Sequence, residues 1–454
     1  MRARTRTVPA ALAAAALLIG VSTAGAFSPG TFTDPVRLGF TAGDDWEPSI
    51  AADGLGNVYA LWNHYVGFGG GSSGEIDPTC LQCPSPHMVI QISRDNGQTW
   101  EAPHALAPSE ERQDDPQIVV DPVTQFVYAA YMEGDKSSMF VARSENAGVT
   151  FVPVLVEEIQ RGLDKIALAA RDGDVYLVYH SQQKIFASFS HDHGDSWEVV
   201  QPIHNTNSKF GVSLPSGAAI DLDGNAYFAW NGVNRPGQAK GTINLYVTKT
   251  ADGGETWTTS VVDQSEAPPP CDCGGWDYWG AQMAIGVNAV GRVFVLWNAN
   301  HVKYGAQRMF YATSENGGET WSDPVDVSAA PPGANNVFPA LVATGIGDVR
   351  IAWQDDRNGF DAGGNDPAAR WNTYYRESTD AGDTWSEEAQ LSAFVTGHAY
   401  KFDTTAIEPR DDGYLQPYGD YFELDINALG NTVALWGEGN SYVGPGNVWF
   451  ARQQ

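Results

Sequence analysis

A chain of 454 residues with 43% hydrophobic and 11% aromatic residues holds enough apolar material for one large or two ordinary cores, which excludes a disordered chain. Its formal charge of -29 argues against nucleic acid and anionic membranes as partners, because like charges repel. Forty-nine glycines and 26 prolines, with 15 tryptophans and 18 tyrosines, favour short strands and tight turns over long helices, so an all-β fold is expected.

Residues 1–26 read as an export signal: Arg2, Arg4 and Arg6 precede an Ala/Leu-rich run ending at Ala24-Gly25-Ala26, with cleavage expected before Phe27. That run is too short to span a bilayer, and no later stretch reaches about 18 uninterrupted apolar residues. Residues 27–454 are therefore expected to form one secreted domain with no membrane span. Next comes FTDPV (32–36), which repeats the end of the phrase SENGGETWSDPV (314–325) without its beginning.

From residue 50 onward two patterns alternate. The first joins two apolar alternations through a Gly/Asn/Asp turn, as in IAADGLGNVYALW (50–62), AIDLDGNAYFAW (219–230), AIGVNAVGRVFVLW (284–297) and LVATGIGDVRIAW (341–353). Side chains alternate faces along a strand, so each stretch reads as a β-hairpin. The second pattern, S/T-x-D/N-x-G-x-S/T-W/F, occurs six times: SRDNGQTW (93–100), SENAGVTF (144–151), SHDHGDSW (190–197), TADGGETW (250–257), SENGGETW (314–321) and STDAGDTW (378–385). Asp or Asn two residues before Gly makes an Asx-type turn with a left-handed position, and the final aromatic can fold back as a plug. Each unit thus supplies four strands.

The second strand of each unit ends at an aromatic expected in the core: Trp62, Tyr131, Tyr179, Trp230, Trp297, Trp353 and Trp436. That counts seven units. The last, FELDINALGNTVALWGEGNSYVGPGNVWFARQQ (422–454), stops after a third strand, and FTDPVRLGF (32–40) supplies the fourth. The prediction is a seven-bladed β-propeller of four-stranded blades, with the N-terminal strand closing the last blade and removing its free edge.

The repeated phrase resembles the Asp-box, or BNR repeat, of the sialidase-like superfamily, over nearly all of the mature chain. The resemblance implies a site on the face built by the loops between second and third strands and between units. It does not decide activity, since the family includes exo-sialidases and other glycan-cleaving propellers alongside assembly factors and receptors that cleave nothing. Its sialidases hold a substrate carboxylate with three arginines, protonate with an Asp, and attack with a Tyr activated by a Glu. Carried onto this chain, the resemblance implies Arg112, Arg308 and Arg357 as the clamp, Asp44 or Asp45 as the acid, and Tyr421 as nucleophile beside Glu423.

The same expected face carries Glu47, Asp114, Asp115, Asp164, Lys165, Tyr418 and Asp420, with Tyr278 and Trp279 as sugar-stacking candidates. Carboxylates outnumber basic groups there and the family's Arg-Ile-Pro signature is missing. An anionic sugar is therefore disfavoured unless a calcium cofactor neutralises the rim. Paired carboxylates in unequal surroundings could instead divide acid and nucleophile roles on a neutral sugar. Ordinary structural roles compete: WQDDRNG (353–359) as an internal Asp–Arg clamp, PYGDYFEL (417–424) as a packed tyrosine turn, DLDGN (221–225) as a hairpin turn, and GFGGGSSG (67–74) as a flexible link.

Cys80 and Cys83 (CLQC) and Cys271 and Cys273 (CDC) fall in long loops of that face. Export makes disulfides the default, closed locally at Cys80–Cys83 or crossed between the loops; a four-thiolate zinc or copper(I) site is the alternative. The expected protein is a secreted monomer that recognises an extracellular glycan or glycoconjugate. If it cuts, glycoside hydrolysis by carboxylates of the first, second and seventh units is the first choice. The competing class is a non-catalytic binding or assembly propeller for a glycan, calcium or a basic protein partner.

Overall fold

The computed structural model describes residues 26–40, 44–65, 86–159, 162–181, 184–204, 212–233, 242–267, 282–357, 372–392, 421–437 and 447–454. Their strands form seven four-stranded antiparallel sheets. In the first, Asp44–Ala52 lies innermost, followed outward by Val58–Tyr65, His87–Ser93 and His104–Ala105. The innermost strands of the others are Gln113–Val120, Leu163–Arg171, Val212–Ile220, Met283–Val287, Asn336–Thr344 and Phe422–Ile426. Each touches the next, and the last touches the first. The molecule is a seven-bladed β-propeller, with blades numbered here from Asp44.

The N-terminal strand closes the ring as expected. Val36–Leu38 pairs antiparallel with Val448–Arg452, setting Val36 opposite Phe450 and Leu38 opposite Val448. Thr33 N also donates to the Arg452 carbonyl, and Phe32 bridges to Gln453. The seventh sheet therefore contains strands from both ends of the described chain, and Val36–Leu38 takes the outermost position that the fourth strand holds in the other blades.

The seven strand-ending aromatics are buried, Trp62, Trp230, Trp297, Trp353 and Trp436 completely. They pack between blades: Trp62 of blade 1 shares a cluster with Leu435, Val448 and Phe450 of blade 7. Packing of sheet on sheet around a closed ring is the main apolar stabilisation.

Two turn types hold the opposite face. In the six Asp-box turns the Ser or Thr hydroxyl accepts the glycine N–H four residues on, from Ser93 with Gly97 at 2.9 Å to Ser378 with Gly382 at 2.8 Å. The Asp or Asn side chain then caps the following Ser or Thr, as Asp192 does for Ser196 N at 2.9 Å and Ser196 Oγ at 2.6 Å. Two successive residues of each turn are left-handed, for example Ala147 and Gly148 at φ 56° and 79°. The hairpins between first and second strands use a second device. Asp221 Oδ1 accepts Asp223 N and Asn225 N, while its Oδ2 accepts the Tyr227 hydroxyl at 3.0 Å. Asp53 repeats this with Leu55, Asn57 and Tyr59. DLDGN is thus a hairpin turn. No helix among the described residues is long and apolar enough to cross a membrane.

Candidate functional site at the axial mouth

The inner strands enclose an axial cavity of about 1140 Å³. At the end away from the Asp-box turns, several inner strands begin with a bulge, marked by register shifts at Trp46/Ser49, Asp114/Gln117, Asp164/Ile166, Pro215/Gly217 and Val337/Ala340. Four residues within these bulges take left-handed backbone: Glu47 (φ 57°), Asp115 (54°), Lys165 (48°) and Phe338 (53°). Three of them precede a proline, namely Pro48, Pro116 and Pro339. Proline has no N–H to give a neighbouring strand and bars the residue before it from the right-handed helical region, so the ladder breaks there. Glu47, Lys165 and Phe338 line the cavity as a result.

Around this mouth the charges interlock. Lys136 Nζ lies 2.6 Å from both Asp115 Oδ2 and Asp164 Oδ1. Lys165 Nζ lies 3.5 Å from Asp115 Oδ1 and 3.8 Å from Glu47 Oε1, so one ammonium meets both carboxylates. The Tyr421 hydroxyl donates to Asp115 Oδ1 at 3.1 Å, and the same Lys165 ammonium sits 4.6 Å from the centre of the Tyr421 ring. Enclosure alone would push the Asp115 carboxyl up, but the two ammonium groups outweigh it and hold it well below the usual range. Arg112 grips Asp114 through two bonds of 2.9 and 2.7 Å, although burial still pushes Asp114 up.

Deeper on the wall, Glu423 and Asp425 of blade 7 cross the seam to blade 1. Glu423 Oε2 accepts Ser49 Oγ at 2.6 Å and Ile50 N at 2.9 Å; Asp425 Oδ2 accepts Ala52 N at 2.7 Å. Enclosure pushes them up to about 7 and about 6, against the hydrogen bonds they accept.

Residues 75–278 match the family model of the BNR repeat-like domain. This stretch, somewhat under half of the chain, is similar to BNR repeat-like domains. No curated protein sequence matches it. Among solved structures, a Dyadobacter fermentans protein of unknown function is 13% identical, with a TM-score of 0.52, covering 93% of this chain and 99% of that one. The Hadza microbial sialidase Hz136 is 14% identical, with a TM-score of 0.47, covering 90% of this chain and 66% of its own. YCF48, solved bound to D1 peptide, is 12% identical, with a TM-score of 0.46 and coverage of 95% and 99%. Identities at this level speak to the fold alone.

In this propeller the residues singled out from the sequence separate into groups. Arg112, Asp114, Tyr421 and Glu423 line the cavity, and Asp115 stands behind its mouth, bonded to Tyr421 and the two lysines. Tyr421 and Glu423 share one wall, but the tyrosine turns to Asp115 and the glutamate to Ser49. Asp45 is 1% exposed inside blade 1, where its Oδ1 accepts Trp62 Nε1 at 2.8 Å and lies 2.7 Å from His64 Nδ1. Asp44 opens the inner strand of blade 1.

Neither Arg308 nor Arg357 lines the cavity. Arg308 is held by Asp326 and the carbonyls of Ser328, Ala330 and Pro331. Arg357 is held by Asp355 and Glu388 over the Tyr374 ring. The clamp of Arg112, Arg308 and Arg357 is therefore not assembled. Burial raises Asp355 to about 6 despite its arginine. Tyr278, Trp279, Tyr418, Asp420 and the four cysteines lie outside the described residues, as do GFGGGSSG and residues 1–25 of the expected export signal.

Glu47, Asp164 and Lys165 were on the expected face without a role, and Lys136 was missed. The Glu-Pro, Asp-Pro and Phe-Pro pairs at inner-strand starts were the signal for three bulges; Lys136 has no comparable signal in a Gly-Asp-Lys turn. Among the described residues, no group of three or more His, Cys, Asp or Glu side chains is arranged to hold a metal ion.

Proposed function

We propose that this propeller recognises a glycan at the axial mouth, and a neutral sugar in preference to an anionic one. The observation that carries the reading is the set of charged residues, Glu47, Asp115 and Lys165, kept in left-handed backbone around one tyrosine at the opening of a large cavity. Such conformations cost on the order of 1–3 kcal/mol each and persist where the surroundings over-determine them, which is typical of ligand sites. Interlocked carboxylate, ammonium and phenol groups can donate to and accept from sugar hydroxyls, and the Tyr421 ring offers a face for stacking. The preference for a neutral sugar rests on charge: Glu47, Asp114, Asp115 and Asp164 outnumber Arg112, Lys136 and Lys165, and the three-arginine clamp is missing.

Hydrolysis at the same mouth is favoured by one further observation. Asp115 is kept ionised by Lys136 and Lys165 and takes the Tyr421 hydroxyl, while Glu47 meets Lys165 and the Asn63 amide, and carboxylates in unequal surroundings can divide base and acid roles.

The test is to incubate the protein with sialylated and neutral oligosaccharides and follow both binding and products by mass spectrometry. Binding of a neutral glycan supports recognition, and its cleavage, abolished by Asp115→Asn, supports hydrolysis as well. Release of sialic acid, or no binding to any glycan, overturns the reading.

A further inference from the structure

The face opposite the mouth carries a pattern that glycan recognition does not use. Each hairpin between first and second strands ends in a tip, and in six blades that tip presents one exposed aliphatic side chain. These are Leu55 (73% exposed), Val123 (50%), Leu222 (59%), Val290 (64%), Ile346 (74%) and Leu429 (62%). Blade 3 has the exposed Asp172 instead.

Single exposed apolar residues need no explanation, but six at one repeated position do. The tips are laced into a collar around the axis. Gly54 N donates to Gln125 Oε1 at 3.0 Å, Gly173 N to Asp121 Oδ2 at 2.8 Å, Ala289 N to the Gly345 carbonyl at 2.8 Å, and Arg350 Nη2 to the Gly430 carbonyl at 2.9 Å.

Outside the collar stand the Asp-box turns, and they are acidic. Asp223, Glu255, Glu319 and Asp383 are exposed with no ion pair among the described residues, as is Asp172. The Asp-box carboxylates of Asp95, Asp192, Asp252 and Asp380 add to them. Cations on this face are mostly taken: Arg94 by Glu101, Arg143 by Glu145 and Asp195, Arg292 by Glu315, Arg350 by Asp348. Among the described residues Arg171, Lys249 and Arg452 have no ion-pair partner, and the exposed acids outnumber them.

We infer that this collar docks a protein partner presenting an apolar centre within a basic surround. An apolar core inside a polar rim is the anatomy of a protein interface. Charge selects the occupant: a second copy would set one acidic rim against another, and an anionic membrane is repelled by a chain of charge -29. Among the described residues the exposed tips themselves are aliphatic or acidic, with none of the Trp, Lys and Arg that interfacial membrane anchors use.

The test uses a labelled amphipathic Leu/Lys peptide as probe and its Leu/Glu counterpart as control, read by fluorescence anisotropy. The wild-type protein is expected to bind the first and not the second. The triple variant Leu55→Ser, Ile346→Ser, Leu429→Ser should weaken binding by about tenfold or more, since several buried side chains are lost. A second variant, Glu255→Gln with Glu319→Gln and Asp383→Asn, should weaken binding and flatten its salt dependence. Unchanged affinity in both variants overturns the inference, as does equal binding of the Leu/Glu peptide. Capture by neutral-lipid vesicles, or self-association in sedimentation that the triple variant abolishes, overturns it in favour of a membrane or a second copy. All these outcomes are independent of glycan binding at the other end of the cavity.

Discussion

Glu423 sits on the cavity wall, and burial raises its carboxyl from 4.5 to about 7 although it accepts bonds from Ser49 and Ile50. A carboxyl raised on folding leaves stability intact below its unfolded pKa and subtracts from it as pH rises towards the folded value. The loss here falls between about pH 4.5 and 7, and Asp425, raised to about 6, adds to it from about pH 4. Glu423→Gln keeps an acceptor for Ser49 and Ile50 but cannot ionise. Urea unfolding at pH 5 and pH 8 should show a decline in the wild type, by up to about 3 kcal/mol from Glu423, and a much smaller one in the variant. An equal decline in both would place the titrating group elsewhere. The same residue shows what sequence could tell: Glu423 was placed beside Tyr421 on the expected functional face, but its attachment to blade 1 rather than to Tyr421 depends on a contact 374 positions away along the chain.

At the scale of the element, the Asp-box was readable in full because it is local: hydroxyl, carboxylate, glycine and aromatic lie within eight residues. Its packing was not, because that depends on the preceding blade. Gly148 has φ 79°, and a Cβ there would lie 2.7 Å from Ile92 Cδ1 and 3.0 Å from Tyr59 Cε1 of blade 1. Gly148→Ala should therefore destabilise the protein by about 2–3 kcal/mol, combining left-handed strain with overpacking. Thermal unfolding checks this. Gly224→Ala is the matched control, with φ 85° but nothing within 4 Å of the added carbon, and should cost less. Equal losses would mean that the backbone alone decides. The bulges tell the opposite story, since a proline marks where a strand breaks but not which neighbours its displaced side chain will meet.

For the whole molecule, the truncated seventh unit and the orphan FTDPV foretold closure by the N-terminal strand, and the register confirms it. Closure can be tested within one strand: Leu38 is 2% exposed and Val36 is 49% exposed. Leu38→Ala should cost about 2–4 kcal/mol and Val36→Ala under about 0.5 kcal/mol in denaturant unfolding. Similar costs would contradict a role for this strand in sealing the core. The seven-fold plan was evident because every unit repeats it, whereas the site was only partly so, because it is assembled from residues that differ between units. Blades 1, 2, 3 and 7 each bring a different group to the mouth. We propose that together these groups bind a glycan. The most direct measurement is a glycan-array comparison of the wild type with Tyr421→Phe and Lys165→Ala, with folding checked by circular dichroism. Binding of a neutral glycan that both folded variants weaken several-fold or more is the predicted result, whereas binding that both leave unchanged, or none at all, would contradict the account.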